Sequence, residues 1–185
     1  MNDKADDRHF SQALTLRKGT PVTIRVMRPD DKNRLEAAFA GLDPQSIYTR
    51  FFGFRKELPE GPLKRIATID FVRLLGLVVT TGEGADEIII GSATYVADTA
   101  PDGTREAEVA FTIEEDYQGQ GLAGKLLAAM AAIARRHGIT RLVAEVLAGN
   151  AAMLSVFQRS SLPMTRKRVE GGVIRVELEL SPPPA

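Results

Sequence analysis

Phe111-Thr112-Ile113-Glu114-Glu115-Asp116-Tyr117-Gln118-Gly119-Gln120-Gly121-Leu122-Ala123-Gly124-Lys125-Leu126 passes from a strand-like run through a glycine-rich turn into a long apolar-striped helix. Such a turn binds anions. Glycines let the backbone approach a ligand, the first orphan N–H groups of the helix point at it, and the helix dipole favours negative charge. The ligand this implies carries phosphate. Downstream, Leu122, Leu126, Met130 and Ile133 fall on one face of a helix predicted over about Gly121 to His137, with Gly138 at the left-handed cap position.

Working outward, the chain before this stretch is rich in strands. Leu74 to Thr80 and Ile88 to Val96 are β-rich runs separated by Gly82-Glu83-Gly84-Ala85-Asp86, and a turn at Asp98 to Thr104 leads into Glu106 to Ile113. Three consecutive strands therefore form an antiparallel meander. Nearer the amino terminus, Val22 to Met27 reads as a strand and Pro29-Asp30-Asp31 starts a helix. Asp43-Pro44-Gln45 opens a second helix stopped at Gly53, and a third is expected from Pro62 to Ile69. After the long helix come a strand at Arg141 to Val146, a helix at Ala151 to Arg159 and a hairpin from Thr165 to Leu180 turning at Gly171-Gly172. The order βαα(α)βββαβαββ describes an α+β domain. We expect a flexible tail at residues 1–19, one domain at 20–180, and a proline-rich tail at 181–185.

Composition narrows the function. The chain has 185 residues, with 24 basic and 24 acidic side chains, so nothing favours nucleic acid or an acidic membrane surface as its main partner. The absence of cysteine excludes a thiolate nucleophile or thiolate metal site, and two separated histidines, His9 and His137, leave little for a metal centre. No apolar run approaches the roughly 18 residues of a membrane span, so a cytoplasmic location is expected.

Gly119, Gly121 and Gly124 formally match G-x-G-x-x-G, with Glu145 where a dinucleotide-binding acid would stand. The context disagrees, because these glycines follow an antiparallel meander instead of opening a βαβ unit. Gln118-Gly119-Gln120-Gly121-Leu122-Ala123 instead resembles the [QR]-x-x-G-x-[GA] loop of the GCN5-related N-acetyltransferases (GNAT). Ala107-Glu108-Val109-Ala110-Phe111 before it resembles that family's central strand, and Glu145-Val146-Leu147-Ala148-Gly149-Asn150 after it resembles the splayed fifth strand. The pieces Arg25 to Asp31 and Ser46 to Gly53 look closest to the acetyltransferase module of bacterial Pat-type protein lysine acetyltransferases.

The resemblance implies the GNAT fold, a mixed, mostly antiparallel central sheet flanked by helices, and acetyl-CoA as cosubstrate with no metal. Its pyrophosphate would lie on the amides of about Gln120 to Lys125, with Gln118, Gly119, Gly121, Leu122, Ala123 and Gly124 forming the cradle and Lys125 adding charge. Its pantetheine arm would bond to the backbone of Phe111, Thr112 and Ile113 like an added strand, and Asn150 matches an asparagine that touches the arm in relatives. Asn150 also suits a helix N-cap. Glu108 corresponds to the general base of several members, although a glutamate there also suits a solvent-facing strand position. A backbone N–H near Phe111 or Thr112 would hold the oxyanion.

Two departures stand out. Many relatives carry a tyrosine that protonates the leaving thiolate where this chain has Phe157, which cannot donate a proton; Tyr117 or Ser155 offers another hydroxyl. Ser160-Ser161-Leu162 replaces the usual glycine and aromatic. Other residues read more simply as structure: His137 at a helix C-terminus, Glu114-Glu115-Asp116 as a solvated turn able to attract a cationic substrate, and Phe51, Phe52 and Phe54 as core. The implied activity is acetyl transfer to an amine, with a protein lysine as the leading acceptor. A small amine acceptor and a non-catalytic acyl-CoA sensor are the alternatives. Pat-type enzymes often carry a ligand-sensing domain; this length has no room for one, so regulation by a fused domain is not expected.

Overall fold

The computed structural model describes residues 7–52, 55–57, 61, 64 and 68–180. Its strands are β1 (Ser11–Thr15), β2 (Pro21–Val26), β3 (Leu74–Thr81), β4 (Ile88–Thr99), β5 (Arg105–Ile113), β6 (Arg141–Leu147), β7 (Met164–Arg168) and β8 (Val173–Glu179). The helices are α1 (Lys32–Gly41), α2 (Pro44–Phe51), α3 (Leu122–Arg136) and α4 (Ala151–Arg159). One sheet contains all eight strands in the order β1-β2-β3-β4-β5-β6-β8-β7. Every neighbouring pair is antiparallel except β5 and β6, which run parallel. This is the mixed, mostly antiparallel α+β arrangement that the resemblance implies.

Alternation along the strands divides the apolar residues between two layers. Ala107 and Val109 of β5, Leu77 and Val79 of β3, and Tyr95 of β4 pack with Leu122, Leu126, Met130 and Ile133 of α3 and with Phe157 of α4. A smaller cluster of Met27, Leu35, Val78 and Ile89 seats α1 on the opposite face. Each buried Leu, Ile or Met side chain contributes on the order of 1.5–3 kcal/mol, so the large cluster anchors α3 and fixes where its amino terminus points. At the other end Gly138 takes φ 74°, which closes the helix as its position in the sequence suggests.

Residues 7–19 do not behave as the expected tail. β1 pairs with β2 from Ser11↔Arg25 to Thr15↔Pro21, and the buried Asp7 accepts from His137 Nε2 at 2.9 Å and pairs with Arg136 at the end of α3. The sequence hid this strand because β1 lies at the sheet edge and is mostly exposed, so its apolar content is low. The helix expected at Pro62 to Ile69 lies largely outside the described residues, as do Gly53, Phe54 and residues 181–185. Phe52, expected in the core, is exposed and closes α2 in the left-handed conformation at φ 53°.

A buried ion pair fixes the start of α1. Arg25 donates from Nη1 and Nη2 to both oxygens of Asp31 at 2.8 and 2.7 Å, and Arg28 N–H donates to Asp31 Oδ2 at 2.8 Å. Burial raises the Asp31 pKa, but the Arg25 and Arg28 hydrogen bonds outweigh it and hold the carboxyl below its ordinary value. Its stabilisation is therefore fully present above the unfolded carboxyl pKa of about 3.9 and is lost as pH falls through the lower folded value. Arg25 also pairs with Glu87 at 3.2 Å and keeps that partner, so Asp31→Asn should cost about 1.5–3 kcal/mol at neutral pH, the worth of hydrogen bonds to a charged group. Urea unfolding of both proteins should show the gap narrowing below about pH 4.

Candidate active site

β5 and β6 stay together for only three residue pairs, Glu106↔Arg141, Ala107↔Leu142 and Glu108↔Val143. Beyond Glu108 they part, while β5 stays paired with β4 up to Ile113↔Gly91. The Glu114 N–H bond to the Ile90 carbonyl at 3.0 Å sets which backbone groups face which neighbour. Hydrogen-bonded rungs alternate in an antiparallel pair, so residues 108, 110, 112 and 114 turn their N–H and C=O toward β4, and 109, 111 and 113 turn theirs toward the gap. Phe111 and Ile113 thus present backbone to the opening. Thr112 does not, contrary to the expectation from sequence; its amide belongs to the β4 rung at Ser92.

The Ile113 carbonyl is already engaged. Gln118 Nε2 donates to it at 2.9 Å and lies 3.4 Å from Ser46 Oγ, so this side chain braces the turn against the amino terminus of α2. For an extended amide-bearing ligand, the strand edge offers the Phe111 N–H and C=O and the Ile113 N–H.

The turn itself has the geometry of an anion cradle. Gly119 and Gly121 adopt φ 70° and 89°, which L side chains rarely do. Gly121 is the N-cap of α3, and no side chain caps the helix there. The amides of Leu122, Ala123 and Gly124 lie in the first turn, where no intrahelical acceptor exists. Lys125 is a correction: its N–H bonds to the Gly121 carbonyl at 3.2 Å, so its amide lies outside the cradle. Gly124 has ordinary helical φ and open space at its Cβ position.

Gap and cradle belong to one groove of about 1430 Å³. Of the residues singled out from sequence, Phe111, Thr112, Ile113, Gln118, Gly119, Gly121, Leu122, Ala123, Gly124 and Asn150 line it together. Glu108, Gln120 and Lys125 do not, and Gln120 instead accepts from the Lys18 N–H at 3.3 Å. Asn150 lines the groove and also caps α4, accepting from the Met153 N–H at 3.1 Å. Sequence reasoning missed Arg17, Arg135 and Arg159, the charged residues of the lining, which includes no carboxylate. In a chain with no net charge, that imbalance fits a phosphate-bearing ligand. Spacing could not reveal it, because the three arginines come from the β1–β2 turn, the end of α3 and the end of α4.

Glu108 stands at the last rung before the strands part, exposed, on the face opposite α3. Among the described residues its side chain makes no hydrogen bond or ion pair. Glu106 on the same face is held by Arg175 at 3.1 Å and Arg141 at 3.6 Å. Phe157 is buried and meets Phe111 edge-on, centroids 6.1 Å apart, so it shapes the floor of the gap. Tyr117 and Ser155 both line the groove. Among the described residues no group of three or more acidic or histidine side chains could hold a metal, and no helix is long and apolar enough to cross a membrane.

Residues 22–161 match the family described as the acetyltransferase (GNAT) domain. The chain is 31% identical over 145 residues to an acetyltransferase of Pseudomonas aeruginosa, covering 78% of this chain and 75% of the relative. It is 29% identical over 169 residues to the acetyltransferase Pat of Mycolicibacterium smegmatis, covering 91% of this chain and 49% of that protein, so it spans about half the length of that relative. The crystal structure of the GNAT domain of S. lividans PAT superposes with a TM-score of 0.80 at 35% identity, over 92% of this chain and 97% of that one.

Proposed function

Because the chain belongs to the GNAT family of acetyltransferases, we propose that it transfers the acetyl group of acetyl-CoA directly to an amine, and that the amine is the side chain of a protein lysine. The observation that carries the acceptor assignment is the similarity to Pat over nearly the whole chain. Acetyl-CoA supplies an activated thioester, and the groove suits the rest of that molecule. The α3 amino terminus and Arg17, Arg135 and Arg159 would hold its phosphates, and the Phe111 and Ile113 backbone its amides.

Lysine ammonium has a pKa of about 10.4, so only roughly one side chain in a few thousand is neutral at pH 7. Glu108 accepts the proton, directly or through water, and frees the nitrogen lone pair. The nitrogen then bonds to the thioester carbon, and the Phe111 N–H steadies the charge that develops on the carbonyl oxygen. When the C–S bond breaks, the sulfur keeps the electron pair and takes one proton. The nitrogen gives up its second proton as the amide forms. Phe157 has no proton to give, so the sulfur draws on a groove hydroxyl or solvent.

Mass spectrometry of lysine acetylation in cells with and without this chain should show a defined set of sites that purified protein and acetyl-CoA reproduce in vitro. Acetyl transfer confined to small amines would reject the lysine assignment. Acetyl-CoA binding without turnover on any amine or protein would leave a sensor.

A further inference from the structure

A second cavity, about 110 Å³, lies on the α1 side of the sheet. Its walls are mainly apolar, with Leu35 and Phe39 of α1 and Phe51 of α2 facing Thr94 and Val96 of β4. Thr112 of β5 is common to the linings of this cavity and of the groove. Along β4 the cavity runs from Val96, paired with Glu108, to Ile90, which accepts the Glu114 N–H. Phe111, whose N–H would face the reacting carbonyl, is three residues from Glu114, roughly 10 Å along the strand.

Among the described residues Glu114 is the one carboxylate lining this cavity and Arg50 the one cation. The Glu114 Oε2 is out of contact with solvent and has no hydrogen-bond partner, which is costly for a carboxylate in an apolar wall. Desolvation raises its pKa; the Asp116 N–H counters this, and the like charges of Asp116 and Glu115 add to the rise. Arg50, on the same wall, stacks its guanidinium 4.8 Å from the Phe51 ring centroid. Glu115 and Asp116 fit the solvated turn expected from the sequence, but Glu114 turns inward. Glu114 follows the end of β5, three residues beyond Phe111 as Glu108 is three before it, and alternation puts the two carboxylates on the same face of the sheet.

Resting on the acetyltransferase reading, we propose that this cavity is a specificity site for acceptors with two positive charges. Glu114 receives a second alkylammonium or guanidinium arm while the reacting amine lies beside Phe111, between Glu114 and Glu108. The apolar walls take the methylenes of the arm, and its charge supplies the partner that Oε2 lacks. A basic residue near the target lysine of a peptide and the distal amine of a linear polyamine share this chemistry.

Acetyl transfer should be measured on lysine peptides with and without a second basic residue, and on spermidine against 1-aminobutane. Wild type should favour the dicationic member of at least one pair. Glu114→Gln should raise its KM by about 10- to 100-fold, the worth of one charged hydrogen bond, while kcat and acetyl-CoA affinity hold and Glu114→Asp restores part of the preference. A preference confined to peptides identifies a protein acceptor, and one confined to spermidine a small polyamine; either supports the site. Equal KM changes for singly and doubly charged acceptors, or none, would overturn it. Calorimetry of spermidine binding separates the two readings. If wild type acetylates nothing but binds spermidine through Glu114, the activity assignment fails and the cavity assignment stands; binding that Glu114→Gln leaves intact, with no transfer, ends both.

Discussion

Glu108→Gln should lower kcat by about 10²–10⁴-fold, the usual contribution of a positioned general base, with acetyl-CoA affinity unchanged. The substitution keeps the shape of the side chain at an exposed position that forms no ion pair among the described residues, so the fold should tolerate it. The amide cannot accept the ammonium proton, and the enzyme is left with the small fraction of acceptor already neutral. Raising the assay pH should therefore recover part of the lost rate. Stopped-time assays with calorimetry on the same preparation separate the two quantities, and undiminished turnover would remove Glu108 as the base.

The second large effect lies in the cradle. Gly121→Val should weaken acetyl-CoA binding at least about 100-fold, because a β-branched residue resists φ 89° by about 1–2 kcal/mol and brings methyl groups to the unsatisfied amides of α3. No protein atom lies within 4 Å of the Cβ position, so the damage should fall on the ligand more than on the packing. Gly124→Ala is the control. Its backbone is helical and its surroundings are open, so alanine should stabilise the helix by up to about 1 kcal/mol. Any loss of affinity there reports a methyl group in the ligand's path. Thermal unfolding beside calorimetry distinguishes these results, and acetyl-CoA binding untouched by Gly121→Val would show that the phosphates bind elsewhere.

Local pattern revealed the elements with a strong apolar period. The stripe of α3, the meander and the Gly138 cap all occupy the places their spacing indicates, because the same residues that set the period fill the core. β1 escaped notice because an exposed edge strand needs little apolar content, and its anchor, the Asp7 contact with Arg136 and His137, joins residues about 130 positions apart. The backbone of the site was only half legible. Phe111, Thr112 and Ile113 are equivalent as letters; which of them faces the gap depends on the hydrogen-bond phase with β4, which no single-strand pattern contains. Likewise, Glu114 looks the same as Glu115 in sequence, and only the packing of α1 over β4 and of α2 over β5 turns it inward.

The three rungs between β5 and β6 also bear on how long the protein survives. Strands β1 to β5 form one half-sheet and β6, β8 and β7 another, and beyond Glu108 nothing in the sheet stitches the halves together. A molecule bound in that notch acts as a splint. Binding to the folded chain alone stabilises it by RT ln(1 + [L]/Kd), about 2.7 kcal/mol at a hundredfold excess over Kd. Resistance to cellular proteases then tracks the supply of the occupant, so a nutritional state that fills the acyl-CoA pool would preserve the very catalyst that spends it.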